Sequence, residues 1–221
     1  AKKFSSYRAK ALFSENIPVE VHDNLLKSVQ QSLDPLYKYF DLRKRLLELD
    51  ELHMYDCSVP LVKDMKWHMP FEQAAEEIKS ALKPLGGEYV EQLGRGLSVD
   101  RWTDRYENKG KRSGAYSSGC YDSNPFILMN YREDNINSAY TLAHEAGHSM
   151  HSFYSRKNQP YLYSDYTIFV AEVASTFNEA LLTRHFLSQD IDPEMRVYLI
   201  CREIDNFRGT LYRQTMFAEF E

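Results

Sequence analysis

The sequence predicts a mainly α fold with a small β-sheet. Three observations lead there. Apolar residues recur at helical spacing through most of the first hundred positions. Two short stretches, 115–121 and 125–131, instead read as strands joined by Asp122-Ser123-Asn124. After Asn135 the helical periodicity returns and runs to the last residue. A chain of 221 residues with 16 Tyr and 12 Phe can bury a sizeable core, as one large or two small domains.

Residues 1–13 hold Lys2, Lys3, Arg8 and Lys10 and no acid, the composition of a mitochondrial targeting peptide. They also read as a helix with Phe4, Tyr7, Ala11 and Leu12 on one side. Pro18 opens a helix over 18–33, with Val21, Leu25, Leu26 and Val29 on one face. Asp34-Pro35 punctuates, and a second helix covers 36–49, with Arg43, Lys44 and Arg45 as a solvated face. Residues 53–67, around Pro60, are irregular. A third helix spans 71–85, stopped by Gly86-Gly87. A fourth starts at Tyr89, breaks at Gly94 and Gly96, and resumes to Tyr106. Residues 109–114 read as a basic solvent loop. The continuous apolar run 126–129 predicts a strand covered on both faces. Asp134-Asn135 caps the next helix, and further helices cover 165–179 and the stretch from Pro193 to the end.

The net charge of −5 disfavours nucleic acid or an anionic membrane as partner, and no apolar run approaches the ~20 residues of a membrane span. Cys57, Cys120 and Cys201 are far apart and odd in number. They suggest neither a disulfide framework nor a cysteine metal site, and favour a reducing, cytoplasmic setting.

The chemistry concentrates in TLAHEAGHSMHSFYSR, residues 141–156. On a helix His144 and His148 are one turn apart and point the same way. Two imidazoles so placed can each reach one zinc ion at about 2.0–2.1 Å. Glu145 is rotated off that line, where it can reach a water on the metal and act as general base. An ordinary helix with two half-buried histidines has the same letters. Here, however, Ala139, Tyr140, Ala143, Gly147 and Met150 make mostly small or apolar surroundings, in which a charged Glu145 needs a function or a partner. Gly147 costs a helix interior about 1 kcal/mol against Ala, so a substrate or a packed helix comes close there.

Two histidines need a third ligand. His151 is seven residues past His144, about 10 Å along the axis, and is excluded. The acids of the 165–179 helix are Glu172 and Glu179. Glu172, between Val170, Ala171, Val173 and Ala174, reads as a carboxylate buried on an apolar helix, which needs a metal or cation. A surface carboxylate is the other reading, and Glu172 is taken as the third ligand. Glu179 lies two turns further along the same face and either orients a ligand histidine or is a surface charge. Tyr161, Tyr163 and Tyr166 line a channel or serve packing.

With their neighbours, these residues resemble the oligoendopeptidase F family, zinc oligopeptidases of the thimet-oligopeptidase type. The likeness covers most of the chain, through RWTDRYENKGKRSGAY, PFILMNY, TLAHEAGHSMHSFYS, FVAEVASTFNE and FRGTLYRQTMFAEFE. It implies a zincin-like helical catalytic domain with the HExxH helix beside a deep channel. It implies one zinc ion per chain on His144, His148 and Glu172, with Glu145 as base. It also implies oligopeptide substrates laid as an added strand on an edge over 114–118, with Gly114, Ala115 and Tyr116 foremost. The expected division is a helical region over 1–108 and a zinc-binding core over 109–221. Members of the family are longer, and their later part carries Tyr and His side chains that bind the peptide carbonyl oxygen. The chain is therefore expected to be a piece of a longer enzyme, one that by itself binds metal or peptide with little turnover.

Overall fold

The computed structural model describes residues 3–62 and 65–220. Among them are nine α-helices and three short strands. In chain order these are α1 (Tyr7–Phe13), α2 (Val19–Gln30), α3 (Asp34–Leu46), α4 (Phe71–Ala81), α5 (Gly87–Leu97), β1 (Thr103–Asp104), β2 (Tyr116–Ser118), β3 (Phe126–Leu128), α6 (Ile136–Asn158), α7 (Ile168–Ser188), α8 (Pro193–Phe207) and α9 (Arg213–Phe220). The mainly helical fold with a small sheet is as expected. The chain divides into two compact units: the segments before Lys66 and after Asp190 form one, and Lys66–Asp190 the other. The boundary expected at 108/109 falls inside the second unit, because α4 and α5 pack on α6 rather than on the early helices.

In the first unit, Ser6 caps α1 by accepting from the Ala9 amide at 3.0 Å. α9 packs on α2, and Tyr212, in the π-helical turn Arg208–Tyr212 between α8 and α9, donates its hydroxyl to the Ser32 carbonyl. Arg43 corrects the sequence reading. It is 1 % exposed, not solvated, and donates to the Tyr39 hydroxyl and to the Asp56 and Val59 carbonyls, with Asp205 at 3.7 Å. A buried guanidinium needs such partners, and these come from the 56–59 turn and from α8.

In the second unit, α4 buries Phe71, Ala74, Ala75 and Ile78 against its neighbours. α5 runs unbroken through Gly94 and Gly96, where a break was expected. Both glycines serve close packing instead. A Cβ at Gly96 would lie 2.4 Å from the Trp102 ring, and one at Gly94 would lie 2.9 Å from Lys79 Cε. The chain then leaves the helix at Ser98 and forms β1, which the sequence reading had continued as helix to 106.

The sheet order is β1-β3-β2. β1 is parallel to β3, with Thr103 opposite Ile127. β2 is antiparallel to β3, with Tyr116, Ser117 and Ser118 opposite Leu128, Ile127 and Phe126. Ile127 is buried, but Phe126 is 52 % exposed, so β3 is covered on one face rather than two. The segment before β2 is not a free solvent loop either. The Lys111 side chain is 4 % exposed, with Nζ bonded to the Asp104 and Tyr106 carbonyls. Asn130 Nδ2 donates to the Arg112 and Gly114 carbonyls at 2.9 Å each.

α6 starts at a cap as predicted, the Asn135 side chain accepting from the Asn137 amide. It packs most extensively on α7, and Gly147 marks the crossing. A Cβ there would stand 2.7 Å from both the Ala174 carbonyl oxygen and Ser175 Cα. The close neighbour of Gly147 is therefore a helix backbone. Gly147→Ala is expected to force the two helices apart at a cost of about 1–3 kcal/mol, read as a lower urea midpoint at unchanged slope. A midpoint equal to that of the parent would show that the helices part freely.

Candidate metal centre

α6 and α7 each bring one side of a cluster. One turn of α6 presents His144 and His148 to the same side, with their Nε2 atoms 3.1 Å apart. From α7, Glu172 Oε2 lies 3.4 Å from His144 Nε2 and 3.6 Å from His148 Nε2. Donors bonded at about 2.0–2.1 Å to a common tetrahedral centre stand roughly 3.3 Å from one another. The three donor atoms thus form a triangle of the size that a zinc ion spans, and they are the metal-competent group found among the described residues.

The surrounding bonds set what each atom can do. Glu179 Oε1 lies 2.7 Å from His144 Nδ1, so the carboxylate accepts the Nδ1 proton and leaves Nε2 with its lone pair facing the triangle. Burial lowers the proton affinity of His144, but the bond from Glu179 and the charges of Glu179, Glu145 and Glu172 outweigh it and hold the pKa up. His148 is held below the usual histidine range by burial and by its neighbour His144. Ser175 Oγ, fully buried, donates to Glu172 Oε2 at 2.8 Å and so fixes the third donor.

Glu145 is 6 % exposed, and burial pushes its carboxyl up against the pull of His144 and of the Ser117 backbone amide. Its Oε2 is buried with no hydrogen-bond partner among the described residues. An orphaned carboxylate oxygen is expensive in a purely structural position, and this carboxyl feels the charges of His144, Glu172 and Glu179. Ser117 also bonds through its hydroxyl to Ser149 of α6 at 2.8 Å, which ties β2 to the same helix.

Glu172 itself corrects the sequence argument. Its side chain is 46 % exposed, and Val170, Val173 and Phe177 are exposed beside it. The buried stripe of α7 is Ala171, Ser175, Asn178 and Leu182, so Glu172 stands at its rim. His151, excluded as a ligand, stacks on Tyr166 at 3.7 Å between centroids. Tyr166 in turn bonds to Ser152 at 2.6 Å, so it packs on α6, while Tyr161 and Tyr163 are largely exposed. Gly114, Ala115 and Tyr116 lead into and begin β2, an edge strand of the sheet. Sequence reasoning missed Ser175 and Ser117. Ser175 was within reach, since i+3 on a helix places it beside Glu172, whereas Ser117 meets Glu145 only through the tertiary fold.

Comparison with known proteins agrees along the whole length. The chain is 53 % identical over 220 residues to oligopeptidase PepF of Bacillus subtilis, covering all of this chain and 32 % of that protein. It is 44 % identical over 220 residues to an oligoendopeptidase F homolog of Borreliella burgdorferi, covering all of this chain and 37 % of the relative. Among solved structures, oligoendopeptidase-F from Enterococcus faecium superposes with a TM-score of 0.65 at 34 % identity, over 99 % of this chain and 30 % of that one. The chain thus spans about a third of the length of the relatives it matches. The model of peptidase family M3 matches residues 1–221, and the chain belongs to that family.

Proposed function

We propose that this chain carries the catalytic zinc site of a metalloendopeptidase acting on oligopeptides. The carrying observation is the donor triangle of His144, His148 and Glu172, together with the unpartnered carboxylate oxygen of Glu145. The printed names of the relatives, oligopeptidase and oligoendopeptidase, support the substrate class.

In this reading His144, His148 and Glu172 hold one zinc ion per chain. Bound there, zinc would supply Lewis acidity. Glu145 accepts the proton of the attacking water and returns it to the leaving amine nitrogen. Glu179 keeps the His144 proton on Nδ1, and Ser175 steadies Glu172. Gly114, Ala115 and Tyr116 form the edge along which the peptide extends as an added strand. No helix of the described residues is long and apolar enough to cross a membrane, and Cys57, Cys120 and Cys201 are free. A cytoplasmic setting is proposed on that basis.

In the full-length protein, complete metal removal by a chelator is expected to abolish cleavage of a fluorogenic oligopeptide, and zinc to restore it. Undiminished cleavage by metal-free protein would defeat the proposal.

A further inference from the structure

The hydrogen-bond register of the sheet determines which backbone groups β2 leaves open. The Ile127 and Met129 amides donate to the Trp102 and Asp104 carbonyls, at 2.7 and 2.9 Å. Successive residues of a strand turn their backbone groups to opposite sides, so Phe126 and Leu128 face β2. Their opposite numbers, Ser118 and Tyr116, are bonded inward to them. Ser117 therefore turns its amide and carbonyl to the free edge, and Ala115, two residues earlier, does so too where the extended path continues.

The register also assigns the two faces of the sheet. Ser117 and Ile127 share the face packed on α6, where Ser117 bonds to Ser149. Tyr116, Ser118, Phe126 and Leu128 stand on the other face. That face is open, with Tyr116 53 % and Phe126 52 % exposed. It forms the floor of a cleft of about 750 Å³, with Arg101 also at its lining.

A peptide added along the free edge would bond to Ala115 and Ser117, its carbonyl oxygen taking the Ser117 amide over from the Glu145 carboxylate. Its residue opposite Tyr116 would exchange no backbone bonds with Tyr116. Where the peptide runs antiparallel, the Cα atoms of such a pair are closest, about 4.5 Å apart, and the two side chains share one face. Every second peptide side chain thus falls on the open face whichever way the peptide runs. We propose that this cleft is a specificity subsite. It takes the side chain of the substrate residue paired with Tyr116 and selects aromatic or large aliphatic residues through Tyr116, Phe126 and Leu128. The inference rests on the peptidase reading above and extends it from oligopeptides in general to peptides with such a residue at one fixed position.

The test is a mixed oligopeptide library cleaved by the zinc-loaded full-length protein, with products read by mass spectrometry. The parent protein is expected to enrich aromatic and large aliphatic residues over Ala at one position by about two- to fivefold, the range of a single cross-strand aromatic pair. Phe126→Ala should bring that ratio towards one, and Phe126→Lys should raise the use of Glu at the same position. Phe126 is half exposed, and the ratio is internal to each variant, so partial loss of folded protein does not alter it. Cleavage by all three proteins with one unchanged profile would overturn the subsite while leaving the peptidase reading intact. Failure of the zinc-loaded parent to cleave any library member would overturn both.

Discussion

In the full-length protein, Glu145→Gln is expected to leave the fold and zinc binding intact and to lower kcat/KM for an oligopeptide by about 10²–10⁴-fold. The substitution conserves size, and the Ser117–Ser149 bond that ties β2 to α6 does not involve Glu145. What it removes is the second acceptor oxygen, the buried Oε2 that has no partner among the described residues. An amide in that place cannot take a proton from water or carry one to a leaving amine. Zinc content measured beside the kinetics separates this from metal loss. Turnover near that of the parent would remove Glu145 from the mechanism.

The second large effect concerns the metal itself. His148→Ala and Glu172→Ala each remove one of three donors, and each is expected to reduce bound zinc from about one per chain to near zero after dialysis, with peptide cleavage lost alongside. The two variants probe different elements, α6 and α7, so a common outcome would tie both helices to one ion. Glu179→Gln should act more gently. It keeps a hydrogen bond to His144 but loses the charge, and zinc affinity is expected to fall about 10–100-fold. Full zinc retention in a His148→Ala, Glu172→Ala double variant would refute the assignment.

The sequence was most readable where geometry is set within one helix. His144 and His148 share a side because of helical pitch alone, and Asn135 is recognisable as a cap by its type and place. Glu172 reads from its apolar neighbours as a buried carboxylate, yet it is half exposed. Its approach to the histidines depends on the close crossing at Gly147, which is a tertiary fact. β1 is only two residues long and exists through its pairing with β3, so no local pattern announces it. Gly94 and Gly96 looked like helix breakers because the Trp102 and Lys79 side chains that need their missing Cβ atoms lie elsewhere in the chain. Arg43 looked like a surface charge for a similar reason, since its partners come from 13 and 16 residues away and from α8.

The most direct test of the account is zinc X-ray absorption on the metal-loaded protein. The predicted spectrum has two imidazole nitrogens and one carboxylate oxygen at about 2.0–2.2 Å, and the zinc signal is lost in His144→Ala. A sulfur scatterer at about 2.3 Å, or a spectrum that His144→Ala leaves unchanged, would place the zinc on other residues and contradict the account.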